Sequence, residues 1–290
     1  MKMKKFLCLI VAFCLISCAV AFANDDDCVG FLTRLKTTPE EFFMLMKRAW
    51  ATNGWAIVGD HADSKAKFYD SLMLMQMALN SGEIDEMILP DFVAEYLVKV
   101  NKSYSPCCIS NSGPMYLCFG FLKENRKFAD RWNDALIAMI SDYTLAGLSQ
   151  KYIKNFPEDT SYDYIYGINR DKQKYKDAIK FERFDGAPTV RVAVTGDLPP
   201  VDFVAENGMA AGYSTAVLAE IGKRLKVNIQ LVQVNAGART AALVSGRVDA
   251  VFWYEVNKSL DSQPDVHEDI ILSEPYLSWD TFIHVKFAED

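Results

Sequence analysis

Histidine is scarce in this chain, and basic side chains are outnumbered by acidic ones. There are three histidines, 31 lysines and arginines, and 38 aspartates and glutamates, for a formal net charge of −7. An acidic chain without a basic stripe would repel phosphate, which excludes nucleic acid as an expected partner. The three histidines are not spaced from cysteine pairs as zinc ligands are. We therefore expect no metal site and no cofactor.

Long apolar runs are also lacking, apart from one at the start. Residues 6–22 are continuously apolar, follow a lysine-rich start and end in "AFA" before "NDDD". This pattern predicts a signal peptide over residues 1–23. "LISC" also resembles a lipoprotein signal that would anchor the chain at Cys18, although the apolar "AVAFA" after it argues against this. Both alternatives predict an extracytoplasmic protein, periplasmic or secreted. No other run is long enough to span a bilayer.

Four cysteines follow the signal segment: Cys28, Cys107, Cys108 and Cys118. An oxidising compartment permits disulfides. Cys107 or Cys108 can reach Cys118 if "ISNSGPMYL" between them is a turn joining two strands. The alternative is that all four are buried free thiols.

Two ten-residue segments share a pattern. "ALNSGEIDEM" (78–87) and "ALVSGRVDAV" (242–251) agree at A-L-x-S-G-x-[IV]-D-x-[MV]. In both, a helix is predicted to end, a glycine to take the left-handed conformation, and a short buried strand to begin. The echo favours two related α/β units over chance similarity.

Hydrophobic periodicity predicts alternating strands and helices in both parts of the chain. In the second part, strands are expected at 190–194, 228–234 and 248–254, with helices at 214–225 (Ser214 as N-cap) and 238–246. This alternation predicts a parallel sheet with crossover helices. In the first part, helices are expected at 38–51, 71–82, 91–100 and 126–140, and strands at 54–59, 84–89 and 115–122. Residues 156–188 are predicted to be a connecting segment.

These motifs resemble the extracytoplasmic solute-binding proteins of amino-acid ABC transporters, family 3. That family's first lobe has a strand, a G-[DE]-x-P-P loop, G-x-x-x-x-L, G-x-[VL]-D and FS-x-P-Y. The matching segments here are Gly196–Pro200, Gly212 with Leu218, Gly246–Asp249 and Leu272–Tyr276. Residues 71–97 resemble part of the family's second lobe, and residues 119–153 resemble its closing strand and helices.

The resemblance implies a periplasmic-binding-protein-like type II fold, with two α/β lobes around a hinge, in circularly permuted order. Residues 28–118 would be the family's second lobe, residues 119–155 its return strand and closing helices, and residues 189–290 its first lobe. The segment 156–188 would join the old chain ends. We then expect helix 126–140 to pack on the lobe of residues 190–287, and residues near 35 and 286 to meet at the hinge. The alternative is two partial copies from a tandem array.

The resemblance also implies a function. A small polar, amino-acid-like metabolite would bind between the lobes and be delivered to an ABC transporter permease, without catalysis. Contact with the membrane would come only through the permease, or through a lipid at Cys18. Asp91 matches the family's acid that pairs with the ligand ammonium group, and Asp197 matches its first-lobe loop acid. Each also has a structural alternative, as a helix N-cap and a turn residue.

One departure from the family concerns the ligand carboxylate. Amino-acid binders hold it with an arginine in a T-x-x-R segment, and the corresponding stretch here has none. Arg239 is the candidate replacement. Trp253 and Tyr254 would line an apolar or aromatic pocket or fill the cleft. Glu255 would disfavour a ligand carboxylate, so a standard α-amino acid is not the expected ligand.

Two other function classes remain open. A degenerate secreted scaffold or sensor domain would have a filled cleft and no transport ligand. A dehydratase-like enzyme on the same scaffold would need a positioned acid or base. Glu255 and Asp197 are the available carboxylates, but the sequence contains no nucleophile–base pair, so no catalytic residue is predicted.

Overall fold

In the part of the chain that the structure describes, the strands of this α/β structure form a nine-stranded sheet and a small three-stranded sheet. The computed structural model describes residues 28–32, 66–155, 179–205, 208–257 and 266–288. The strands are β1 (Val29–Leu32), β2 (Ala66–Tyr69), β3 (Glu86–Pro90), β4 (Tyr104–Leu122), β5 (Thr189–Val194), β6 (Asp197–Leu198), β7 (Asp202–Val204), β8 (Ala210–Ala211), β9 (Asn228–Gln233), β10 (Ala250–Asn257), β11 (Ile270–Leu272) and β12 (Leu277–Phe287). The α-helices are α1 (Leu72–Asn80), α2 (Asp91–Val100), α3 (Arg126–Ser141), α4 (Thr144–Ser149), α5 (Tyr213–Leu225) and α6 (Arg239–Val244).

Several sequence predictions fall on other parts of the chain. The signal peptide, the helix at 38–51, the strand at 54–59 and most of the connecting segment lie outside the described residues. Within the described ranges, no helix is both long and apolar enough to cross a bilayer.

The large sheet consists of two halves with the same strand order. The first half-sheet is β2-β1-β3-β12-β4, and the second is β9-β5-β10-β4-β11. In each half, three parallel strands are followed by an antiparallel strand that arrives from the other half. That strand is β12 in the first half and β4 in the second. The predicted α/β class and parallel strands are confirmed.

The sequence echo corresponds to the same junction in both halves. Helix α1 leads into β3 through Gly82, and α6 leads into β10 through Gly246. Their φ angles are +72° and +70°, in the left-handed region that glycine adopts without strain. The predicted helix–glycine–strand junctions are therefore confirmed in both copies.

The aspartate of each echo fastens the first strand of its half-sheet. Asp85 Oδ2 accepts a hydrogen bond from Cys28 N at 2.6 Å, and Asp249 Oδ2 accepts one from Arg191 N at 2.8 Å. Asp249 also accepts from the Arg191 guanidinium, with Nη2 2.7 Å from Oδ1. Burial alone would raise the pKa of Asp249, but the bonds from Arg191 hold it below its ordinary value. Asp85 and Asp249 thus have the same structural role in the two halves, and Asp249 also forms an ion pair.

Strand β4 crosses from one half-sheet to the other, and its length rules out the disulfide that was one of the two alternatives predicted for the cysteines. It is 19 residues long and includes the stretch predicted to be a turn. Cys108 pairs with His284 in the first half, and Cys118 pairs with Tyr254 in the second. Ten residues of strand span about 33 Å, so neither Cys107 nor Cys108 can reach Cys118. No disulfide joins any two of the four described cysteines.

Helix α3 packs against the second half of the structure, as expected for helix 126–140. It contacts α5 and β11. Glu274 N donates to Asn133 Oδ1 at 2.8 Å, and beyond the helix Arg224 Nη2 lies 2.8 Å from Asp142 Oδ2. Trp132, Leu136 and Met139 are fully buried in a core shared by both halves. Helix α3, from the first part of the chain, therefore packs on elements of the second half.

The described ends of the chain lie on either side of β3. Val29 is opposite Glu86 in β3, and Val285 is opposite Met87. Two strand spacings, about 10 Å, therefore separate the start of β1 from the end of β12. Residue 35 lies outside the described residues. Lys286 lies opposite Ser105 of β4, next to the start of β3, and the expected meeting of residues 35 and 286 at the hinge stays a prediction.

Candidate functional site

The carboxyl ends of the two half-sheets face each other along β4. Pro90, the last residue of β3, is opposite Phe282, which is opposite Ser110 of β4. Asn257, the last residue of β10, is opposite Met115 of the same strand. The two edges are therefore separated by five residues of β4, about 16 Å. Ligands of open α/β sheets bind beyond the carboxyl ends of strands, so this gap is the candidate site.

The loop after β5 is closed around a buried carboxylate that the sequence analysis did not select. Asp202 is 1% exposed. Its Oδ2 accepts hydrogen bonds from Thr195 N at 2.9 Å, Thr195 Oγ1 at 3.0 Å and Gly196 N at 2.7 Å. Burial raises the pKa of Asp202, the three donors partly oppose that rise, and the charge of Asp197 adds to it. Asp202 thus fixes the shape of the loop that carries Asp197.

The same loop occupies the amino terminus of α5. Pro200 O and Val201 O accept hydrogen bonds from Tyr213 N (3.1 Å) and Ser214 N (2.8 Å). Gly212, with φ +99°, is the N-cap in place of the predicted Ser214. A Cβ at Gly212 would lie 2.5 Å from Val201 O, so this approach requires glycine. These two amide groups are already bonded and are not available to hold an anion.

Asp197 lies where the two halves touch. It begins β6, and β6 contacts α1 of the first half. The residue is half-buried. Among the predicted site residues, Asp197 is therefore placed at the facing edge of the second half and next to the first.

Asp91 lies at the opposite edge, directly after β3. It is the first residue of α2, with Pro90 as the N-cap, one residue earlier than predicted. Asp91 Oδ1 accepts a hydrogen bond from Phe92 N at 2.7 Å. Burial raises the pKa of Asp91, the Phe92 amide opposes this, and Glu95 and Asp280 raise it further. A cation in the gap would relieve this accumulation of negative charge.

Arg239 and Tyr254 form one buried unit. The Arg239 guanidinium carbon lies 5.4 Å from the centroid of the Tyr254 ring, and Arg239 Nη1 donates to Ala236 O at 2.6 Å. The Tyr254 hydroxyl lies 2.9 Å from Thr240 Oγ1. Arg239 is 2% exposed and Tyr254 is fully buried. This packing places the proposed clamp arginine against an aromatic ring inside the second half.

Trp253 and Glu255 have different surroundings from Tyr254. A register shift in β10 between Val251 and Tyr254 places Trp253 in the central core, in T-shaped contact with Phe252 at 5.6 Å. Trp253 is 1% exposed, whereas Glu255 is half-buried, opposite Leu117. The structure therefore brings Arg239 and Tyr254 together and buries Trp253 elsewhere. Asp91, Asp197 and Glu255 are the predicted residues with exposed surface near the gap.

The "SEPY" motif has a structural role next to the site. Ser273 Oγ accepts a hydrogen bond from Phe119 N at 2.9 Å. The Tyr276 hydroxyl donates to Phe252 O, and the Tyr213 hydroxyl donates to Tyr276 O. These bonds tie β4, β10 and α5 together behind the carboxyl edge of the second half.

A two-lobed arrangement with strand ends facing a gap is typical of extracytoplasmic solute-binding proteins. Residues 190–288 match the family of bacterial extracellular solute-binding proteins, family 3. This match confirms the predicted resemblance over that segment, about a third of the chain. No curated relative matches the chain.

The solved structures matched by this chain are distant in sequence, with TM-scores below 0.4. They include the ligand-binding component of an ABC-type import system from Staphylococcus aureus with zinc bound (12% identity, TM-score 0.37), matched over 89% of this chain and 65% of that one. A putative L-cystine ABC transporter from Listeria monocytogenes has 11% identity and a TM-score of 0.38, over 91% and 83%. The GluR0 ligand-binding core from Nostoc punctiforme with L-glutamate has 9% identity and a TM-score of 0.37, over 91% and 85%. At these scores no residue role is transferred from them.

Proposed function

We propose that this chain is an extracytoplasmic solute-binding protein that holds a small polar metabolite in the gap between its half-sheets and delivers it to an ABC transporter permease. The observation that carries the proposal is the facing of the two carboxyl edges across β4, one of them in the segment that matches the family. Contacts to a ligand from both edges would favour a closed state. The protein binds its ligand without chemical change.

The charges near the gap favour a ligand with an amino group. Asp91, Asp197 and Glu255 are acidic and partly exposed near these edges. Arg239, the proposed carboxylate clamp, is buried and stacked on Tyr254. An ammonium group would find several carboxylates, whereas a ligand carboxylate would need Arg239 to leave its place. Amines, and amino acids whose carboxylate is blocked, are therefore the preferred ligand class.

The chain order is best explained by circular permutation. The half-sheet of β5, β9 and β10 would be the family's first lobe, the half-sheet of β1, β2 and β3 its second, and α3 with α4 its closing helices. Two observations support this: α3 packs on α5, and the start of β1 lies about 10 Å from the end of β12. In a chain with the family's order, a short connection would join the end of β12 to the start of β1 across this distance.

A scaffold or sensor without a transport ligand is the second candidate. The burial of Trp253, Tyr254 and Arg239 favours it, because three of the six predicted ligand contacts are already packed against protein atoms. In that case the gap would serve only as the joint between two halves.

Thermal unfolding against a ligand panel separates these candidates. The chain from residue 24 would be heated with amines, amino acids, amino acid amides, short peptides and organic acids. A ligand at about 100 times its dissociation constant adds about 2.7 kcal/mol, a rise in Tm of several degrees for a chain of this size. We expect a rise with amines or amides.

Variants of the carboxylates test whether a ligand found in this panel binds in the gap. Asp91→Asn and Asp197→Asn should each weaken binding at least tenfold, whereas Asp134→Asn, an exposed acid on α3, should bind as the wild type does. Binding that survives both changes would refute the proposed site. A panel without any shift would favour the scaffold.

A further inference from the structure

Two consecutive cysteines of β4 bring their thiols together at a β-bulge. His284 is opposite Cys108, but Val285 is opposite Pro106, so Cys107 is an extra residue in β4. Consecutive side chains of a regular strand point to opposite faces, and a bulge changes that direction. The Sγ atoms of Cys107 and Cys108 are therefore only 3.9 Å apart.

A buried carboxylate from β3 faces this pair of thiols. Glu86 Oε2 lies 3.4 Å from Cys107 Sγ, and the two sulfurs and a Glu86 oxygen all lie within 4.8 Å of one another. The other oxygen, Oε1, lies 2.9 Å from His284 Nδ1. Glu86 is 7% exposed and His284 is 1% exposed. His284 thus holds one carboxylate oxygen, and the other, Oε2, lies against the Cys107 thiol with Cys108 nearby.

We propose that Cys107, Cys108 and Glu86 bind one thiophilic divalent cation such as Zn²⁺, with His284 as a positioning residue. Zinc takes tetrahedral sulfur and oxygen ligands at about 2.3 and 2.1 Å, which places two sulfurs about 3.8 Å apart and a sulfur and an oxygen about 3.6 Å apart. The observed 3.9 and 3.4 Å are within a few tenths of an ångström of these separations. Water would take the fourth position.

The charge of the cluster also suits a divalent ion. Binding turns both thiols into thiolates and releases two protons. Lys286 is close enough to interact with Glu86 and both cysteines. The two thiolates, the carboxylate, Lys286 and a divalent cation together are neutral. Spacing along the sequence did not predict this site, because its residues are separated by up to 198 positions and meet only in the folded sheet.

The inference is independent of the proposed ligand-binding function. The site lies towards the outer end of β3 and β12, away from the facing carboxyl edges. A cation there would connect β3 to β4 across β12, and the half-sheet would become more stable.

Cobalt binding tests the proposal directly. The full chain, reduced and freed of metal, would be titrated with Co²⁺, whose thiolate complexes absorb in the near ultraviolet. We expect one Co²⁺ per chain with this absorption, and its loss on addition of Zn²⁺. Cys107→Ser and Cys108→Ser should weaken binding at least 100-fold and reduce the thiolate band. Cys28→Ser, which removes the thiol of the residue before β1, is the matched control and should bind as the wild type does.

Two further measurements separate metal ligation from folding. In the unmutated chain, Zn²⁺ should protect two thiols from a thiol reagent. His284→Ala should weaken binding about 10- to 100-fold with the cobalt band retained but shifted, and His284→Asn should partly restore affinity. Co²⁺ binding without a thiolate band, unchanged reactivity of all thiols in Zn²⁺, equal loss in Cys28→Ser, or a Cys107–Cys108 disulfide in the isolated protein would each overturn the proposal.

Discussion

Replacement of Gly120 tests whether Tyr254 is a core residue. A Cβ at Gly120 would lie 2.2 Å from Tyr254 Cε2. The ring has little freedom to move, because its hydroxyl bonds to Thr240 and the Arg239 guanidinium lies over its face. Overpacking of this kind costs about 1–3 kcal/mol, and the loss of glycine's freedom in the unfolded chain offsets about 0.4–1 kcal/mol. We expect Gly120→Ala to lower the free energy of unfolding by about 1–2 kcal/mol.

Removal of the ring should abolish this cost. In a Tyr254→Leu background, Gly120→Ala should stabilise the protein by about 0.4–1 kcal/mol, which gives a coupling of about 1–3 kcal/mol in a double-mutant cycle. Urea unfolding of the four proteins measures it, and Tm should fall by about 2–8 °C in the single Gly120→Ala variant. Gly147→Ala on α4, where a Cβ meets nothing within 4 Å, is the control. An equal loss in both backgrounds would refute the packing argument.

Two other predictions follow from the half-sheets. The first uses a relinked chain that begins at residue 179 and joins residue 288 to Cys28 through residues 289–290 and 24–27. It should fold with an unchanged circular dichroism spectrum, because the six linking residues reach about 20 Å and the gap is about 10 Å. Failure to fold would count against permutation. Asp249→Asn should cost about 1 kcal/mol more than Asp85→Asn, because only Asp249 bonds a guanidinium, here partly exposed. Since the pKa of Asp249 is lowered in the folded state, this difference should be present at neutral pH and disappear as the pH falls below about 4; a difference that does not depend on pH would contradict it.

Local chemistry made the second half of the chain largely predictable. The strands at 190–194 and 228–234 and the helix at 214–225 each match an observed element within a residue or two. Their apolar residues repeat with the period of the element, and the left-handed Gly246 follows α6. The sequence echo correctly indicated that two units share one junction.

Elements that depend on distant partners were not predictable. Strands β1 and β2 have four residues each, too few for a clear period. "SNSGP" has turn chemistry, yet β4 runs through it, because β12 pairs with Ser110 and Asn111 and again with Met115, where β10 also begins to pair. Asp202 gave no sign of burial, which arises only when the loop folds back onto Thr195. For the same reason, sequence spacing did not show that Arg239 would be covered by Tyr254.

The exchange of β4 and β12 between the half-sheets has a consequence for how the protein folds and unfolds. Each half-sheet needs a strand that belongs to the other, so neither half has a complete sheet of its own. Fragments cut in the connecting segment, such as 24–155 and 179–290, would each leave an open edge and should aggregate or remain unfolded when made alone. Mixed during refolding, they should recover one structure together. A molecule with two geometric halves would then have a single unit of folding, and the assembly of its two fragments could serve as a switchable reporter.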